Sequence, residues 1–249
     1  MTISNKSWLD FVERLSKINQ SAADAMMNYI NVNGFYDRKA LINYAFQVVQ
    51  TYGNASATMA AMMYDTIVEL EGLVYPAAEL SYLPDYGDVA KTVNGVLKTS
   101  SNEDELAGAI YRLVKMVGQD TLLYNANRDR AQFAWIPSGD TCAFCIMLAS
   151  RGWQNMSKNA LKNGHAEHIH SNCDCTYMIR HTSDLNIQGY DPEEYRKMYD
   201  ANPGTPKEKI NAMRRQFYQE NRIDILEQKK SAYEKRKELE NPEAEETKV

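Results

Sequence analysis

The sequence predicts a mainly α-helical protein that carries one small zinc-stabilised α+β module built on a β-hairpin, followed by a helical C-terminal tail. Three observations predict it. Apolar residues recur at three- and four-residue steps through most of the first 130 positions, the period of helices that bury one face. The period then gives way to two short, aromatic, β-prone runs, Gln132–Ile136 and Cys175–Ile179, with turn residues after the first. All four cysteines and all four histidines of the 249-residue chain lie between Cys142 and His181.

The elements follow in order. A first helix places Trp8, Val12, Leu15, Ala22 and Met26 on one face, with Ser7 as its N-cap and a stop in Asn31–Gly34. Leu41, Ala45, Val48 and Tyr52 begin a second amphipathic run. It resumes after Gly53 through Met59, Met62, Ile67 and Leu70, as one long helix bent at Gly53 or as two helices. Residues 76–88, with Pro76, Pro84 and Gly87, predict a loop with a short turn of helix. A short helix spans Val89 to Leu97. Ser101, Asn102 and Glu105 form a capping arrangement ahead of a long helix with the buried stripe Leu106, Ile110, Leu113, Val117 and Leu122.

Gln132–Ile136 is the first strand, Pro137 to Asp140 a turn, and 142–152 a short helix ended by Arg151 and Gly152. Asp140 is expected to accept backbone N–H bonds in that turn. Cys175–Ile179 is the second strand, expected to pair with the first and to hold a metal at one end. A loop and a helix over 192–200 follow. Thr205 and Pro206 open a last helix as N-cap and first position, with Ile210, Met213 and Phe217 as its apolar stripe. Beyond Glu227 the chain is nearly all Lys, Glu, Arg and Gln, an exposed helix or frayed tail. The division is therefore a helical domain at 1–130, a Cys/His module at 131–182, a helical extension at 183–240 and a disordered tail at 241–249.

Composition narrows the function classes. Hydrophobic residues are 44% and charged residues 24%, ordinary for a globular protein. A net charge of −5 suits general nucleic-acid binding poorly, since phosphates are neutralised by clustered Lys and Arg. The amino terminus has no apolar core of a signal peptide. No apolar run is long enough to span a membrane. A reducing compartment is expected, which favours metal over disulfide for the cysteines. Twelve methionines, doubled at Met26-Met27 and Met62-Met63, read as helix core, with an adaptable partner groove as the alternative. Sixteen tyrosines are many for this length, and tyrosine is favoured at interfaces. Lys207, Lys209, Arg214 and Arg215 read as a solvated helix face, with a small basic patch as the alternative.

The Cys/His cluster points to one Zn²⁺. Cys142 and Cys145 chelate one ion through a tight turn, and a second pair completes a tetrahedron. His170 and Cys173 repeat the same two-residue gap. Cys175 competes for the place, because residues 173 and 175 share a face of a strand. His168 reads as exposed, and His165 and His181 as surface residues. His165 and Glu167 give an H-x-E string, but zinc deaminases place it before their C-x2-C, the reverse of the order here. A hydrolytic zinc needs an open position and a base, with Glu167 and Asp174 the near candidates. Thiolate-rich sites are usually closed and structural. No catalytic residue is assigned.

A Cys-x2-Cys followed some tens of residues later by His-x2-Cys-x-Cys resembles the phage minor head proteins called MuF-like. The branch it is most similar to occurs in phages of Gram-positive bacteria and is labelled minor capsid or capsid maturation protein. The matching parts are Trp135, Gly139-Asp140, CAFCIMLASRG at 142–152, and His170, Cys173 and Cys175. A second echo is the helix with Tyr52-Gly53, Ala55, Ala57, Ala60 or Ala61, and Tyr64-Asp65. Together they cover about residues 40 to 182. The spacer from Arg151 to Gly164 departs from the family pattern. So does the second strand, which runs into Arg180-His181 where the family strand often ends in Pro. The resemblance implies a virion protein that joins the procapsid in few copies near the portal vertex. Its implied partners are portal, major capsid or scaffold protein, with packaged DNA a further candidate. Some members carry toxin or nuclease domains; the helical, charged segment after the cluster predicts none here. The enzyme alternative is a capsid maturation protease or another zinc-dependent hydrolase. A cellular zinc-binding adaptor is the third class.

Overall fold

The computed structural model describes residues 1–99, 102–138, 141–157, 175–224, 226–227 and 230–231. Four helices dominate: α1 (Asn5–Asn33), α2 (Arg38–Leu70), α3 (Tyr86–Thr99) and α4 (Glu103–Arg128). A short strand β1 (Thr2–Ile3) precedes them. After them come β2 (Gln132–Ile136), α5 (Ala143–Ala149), β3 (Gln154–Asn155), β4 (Thr176–Arg180), β5 (Asn186–Ile187), α6 (Pro192–Asp200) and α7 (Pro206–Glu220). Among the described residues no helix is long and apolar enough to cross a membrane.

The N-cap of α1 is Ser4, one turn before the expected Ser7. Ser4 Oγ accepts from the Ser7 amide at 3.1 Å, so Ser7 lies inside the first turn. The pairing of β1 fixes the chain just ahead of this point, and the helix starts where that strand ends. Helix α2 runs unbroken through Gly53. The glycine serves close packing: a Cβ there would stand 3.0 Å from Leu83 Cδ2 and 3.5 Å from Val117 Cγ2. Where α2 crosses α4, Gly118 faces Ser56 so closely that a Cβ would lie 2.5 Å from Ser56 Oγ. Asn102 caps α4 through the Asp104 amide at 2.9 Å; Ser101 lies outside the described residues.

The segment between α2 and α3 is the expected loop, and the turn of helix expected within 76–88 is the first turn of α3, from Tyr86. The loop is an extended strap whose polar backbone groups are met by helix side chains, which removes the need for local hydrogen bonds. Asn125 accepts from Glu79 N at 2.9 Å and donates to Glu79 O at 2.8 Å. Gln50 donates to Pro84 O, Thr121 Oγ1 accepts from Ser81 N, and Asp65 accepts from Ala78 N.

Two large apolar clusters form most of the core. One joins Met26, Ile30, Leu41, Val49, Val89, Val93, Ile110 and Val114 from α1–α4. The other joins Trp8, Tyr64, Ile67 and Leu122 of the helices to Phe133, Trp135, Cys145, Leu148, Tyr177 and Ile179 of the Cys/His module. The module's sheet has the order β3-β2-β4, antiparallel throughout, with β2 and β4 paired from Gln132↔Arg180 to Ile136↔Thr176. The expected strand pair is thus present, its second strand starting one residue late.

A separate parallel ladder joins β1 to β5, and the Met1 ammonium donates to Asp184 O at 2.6 Å. Strands of two residues carry no period, so β1, β3 and β5 leave no sequence signal. Helix α7 has Thr205 as N-cap in a capping box with Glu208. Its Met213 is buried with Ala143 and Ile146 of α5, and Ile210 and Phe217 pack beside it. The tail at 241–249 lies outside the described residues.

Candidate metal centre and a buried polar knot

The Cys-x2-Cys sits at the start of α5. Cys142 is the N-cap, with extended backbone (φ −72, ψ 159), and its Sγ accepts from the Cys145 amide at 3.5 Å. This is the tight turn that a two-cysteine chelate needs, and it arises because the chain leaves β2 through Pro137 and re-enters helix at Ala143. Cys142 is half-buried and Cys145 fully buried. Cys175 is buried directly before β4, at the end of the hairpin where Ile136 leaves β2.

Cys175 therefore lies at the end of the β2–β4 pair where the metal is expected, and Cys142 and Cys145 follow β2 from that end. Among the described residues, however, no three His, Cys, Asp or Glu side chains gather closely enough to hold an ion. His165, Glu167, His168, His170, Cys173 and Asp174 lie outside the described residues, as do Gly139 and Asp140. The Cys142–Cys145 half fits a zinc chelate in donor type and local geometry.

The hairpin is fixed to the helices by Gln119 of α4, which is buried. Its amide nitrogen donates to Thr176 Oγ1 in a short bond, and its oxygen accepts from Tyr177 N at 3.0 Å. The next residue, Asp120, is exposed at its surface, yet the protein packed around its carboxyl desolvates it and pushes it up to about 6. Spacing alone did not single out either residue, since both sit within a helical stripe.

A second polar centre corrects the sequence reading. His181, expected at the surface, has a side chain only 4% exposed and pairs with Glu71, 1% exposed, at 2.7 Å through Nδ1. The residue stands where β4 ends against the last turn of α2, so packing of the strand onto the helices buries it. Glu71 also accepts from the His181 and Thr182 amides and from Thr182 Oγ1, at 2.8–3.0 Å. Tyr64 Oη lies 3.0 Å from His181 Nε2 and donates to Asp129 Oδ2 at 2.7 Å. Arg128 closes on Asp129 at 2.8 Å and donates to Pro76 O and Ala77 O of the strap. Tyr75 stacks on the His181 ring, centroids 4.8 Å apart.

Burial raises the Glu71 carboxyl, but hydrogen bonds from Thr182 and His181 outweigh it and hold the pKa below the usual carboxylate value. Asp129 behaves likewise: burial raises it, and bonds from Arg128 and Tyr64 bring it lower. With both Glu71 oxygens engaged, the cluster ties α2, α4, the strap and β4 together and leaves no carboxylate free to activate water. The only sequence hint was a histidine directly after the strand, beside Arg180.

Comparison with known proteins follows the same chain segment. The model of the family described as VG15 protein matches residues 2–202. The chain belongs to that family, whose members are phage or viral gene products. The match runs from β1 through α6 and stops short of α7. No curated protein and no solved structure gives a significant match.

Proposed function

We propose that the chain is a phage minor head protein of the MuF-like kind, incorporated at or near the portal vertex during procapsid assembly. The observation that carries this reading is the segment CAFCIMLASRG, which folds as a capped Cys-x2-Cys helix against a two-strand ladder, in a chain of a phage or viral family. The YG-x-A-A helix of the resemblance supports it. Gly53 and Ala57 lie in the helix packing, and Tyr64-Asp65 grips the polar knot and the strap.

In this reading a structural zinc is held by Cys142 and Cys145 with two of His170, Cys173 and Cys175. The ion would tie the loop between β3 and β4 to the start of α5. The module then serves as a buttress for the helices, and residues before about 130 carry the contact to portal, major capsid or scaffold protein. The test is co-expression with the portal protein and pull-down of truncations. A chain ending after Asp200 should still be recruited, though weakened in packing by loss of Ile210, Met213 and Phe217. A chain lacking α1 and α2 should not be recruited. Recruitment that follows the charged C-terminal segment would sink the assignment. So would tight DNA binding by the isolated chain at physiological salt.

A further inference from the structure

We infer that this protein self-associates head to tail, with the helical segment after Glu220 of one copy lying in a methionine-rich groove between α1 and α2 of the next. The groove has a volume of about 350 Å³, inside the range of roughly 300–1,000 Å³ typical of specific binding sites. Trp8 and Met63 line it from the core side, Phe11 and Met59 from the walls, and Met62 and Leu70 from the outer edge. Met62 is 60% exposed and Leu70 40%. Clustered exposed apolar side chains of this kind mark contact surfaces, and methionine adapts its shape to whatever fills the space.

The occupant is argued from the chain itself. Residues 222–224 and 226–227 are helical and continue past α7. Ile223 is 73% exposed and Leu226 48%. They are three residues apart, so they stand on one helix face. Met62 and Ile223 are both this exposed within one copy, so a single chain does not fill its own groove with its own segment.

Charge supports the seating. Arg222 and Glu227 fall on opposite flanks of the Ile223–Leu226 face. The groove's charged lining residues, Arg14 and Asp10 one turn before it, both stand on the α1 wall. Glu69 is exposed on α2 beside Leu70 and three residues after the groove residue Thr66. A helix seated with Glu227 towards Arg14 and Arg222 towards Glu69 puts both aliphatic anchors over the methionines. The segment lies beyond the residues the family model matches, so it is an addition to the shared fold. A contact between unlike surfaces is heterologous, and it closes into a ring or extends according to its rotation.

Light scattering coupled to size exclusion, across the micromolar range, tests this. The full chain should run above monomer mass. Met62→Glu, which breaks the groove, and a chain ending after Glu220, which lacks the segment, should each be monomeric. Their equimolar mixture holds one intact groove and one intact segment per pair, and should give twice the monomer mass and nothing larger. Far-UV circular dichroism checks that both variants fold. Should Met62→Glu misfold, Ile223→Asp with Leu226→Asp is measured alone, outside the mixture; these exposed changes should also give a monomer, and continued association would overturn the inference. A full chain that stays monomeric, or a mixture that stays monomeric while the full chain associates, overturns the inference. Portal recruitment and zinc content are measured separately, so this result stands apart from theirs.

Discussion

Glu71 is the residue on which the junction of helices and module depends. It is buried, charged and satisfied by His181 and Thr182. Removing the charge from such an acceptor weakens the hydrogen bonds it receives, at about 1.5–3 kcal/mol for a bond to a charged group. Glu71→Gln should therefore lower the stability by that order in urea unfolding, while Tyr64→Phe, which loses one hydroxyl, should cost about 1–3 kcal/mol. The pH dependence has two limbs of opposite sign. Glu71 and Asp129 are held below the ordinary carboxylate range. Their contribution is complete above a pH of about 4.3 and is lost as pH falls through the lower folded values. Asp120 is raised to about 6, so its opposition to the fold develops as pH rises from about 3.9 and is complete above about 6. Stability should be greatest at about pH 4, where the two limbs meet. Asp120→Asn should raise the melting temperature at neutral pH and leave it unchanged in acid; an unchanged neutral value contradicts the assignment.

At the scale of elements, the Cys/His module and the long helices draw on different sources of stability. The helices bury their own apolar faces, such as Met26, Ile30, Leu41 and Val114. The module shares its core with the helix ends, and in the proposed reading a zinc chelate at Cys142 and Cys145 would add to that. If zinc is present at one ion per chain, Cys142→Ser should release it and open residues 131–182 to hydrogen exchange, while α1, α2 and α4 keep their protection. A reduced protein that binds no zinc yet keeps a folded module would remove the metal reading. Glu167→Gln and Asp174→Asn should leave capsid maturation intact; a block in shell-protein cleavage with zinc retained would favour the protease reading.

The elements with a period or a cap were legible beforehand. Helices α1, α2 and α4, strand β2, helix α6 and the Thr205-Pro206 start of α7 all carry local signals of that kind. The anchoring of the strap, the two-residue strands and the knot were not legible, because each depends on partners far apart in the chain. Glu71 and His181 are 110 positions apart, and nothing local in either segment announces the other. His181 was misread for that reason: a polar residue at a strand end looks exposed until a helix is placed over it. The Cys-x2-Cys was legible because its geometry is local, whereas His170 and Cys173 lie outside the described residues.

For the whole molecule, the family match, the helical body and the small module describe a phage or viral protein. The net charge of −5 suits DNA coating poorly, since an acidic chain repels phosphates. In the proposed role the helical body meets portal or scaffold protein, and the module buttresses it from behind. The most direct measurement is quantitative mass spectrometry of purified particles of the phage that encodes the chain, with portal and major capsid proteins as internal references. The account predicts that the chain is present in the particle, in few copies against the major capsid protein and in a fixed ratio to the portal. Its absence from both mature particles and procapsids would contradict the account.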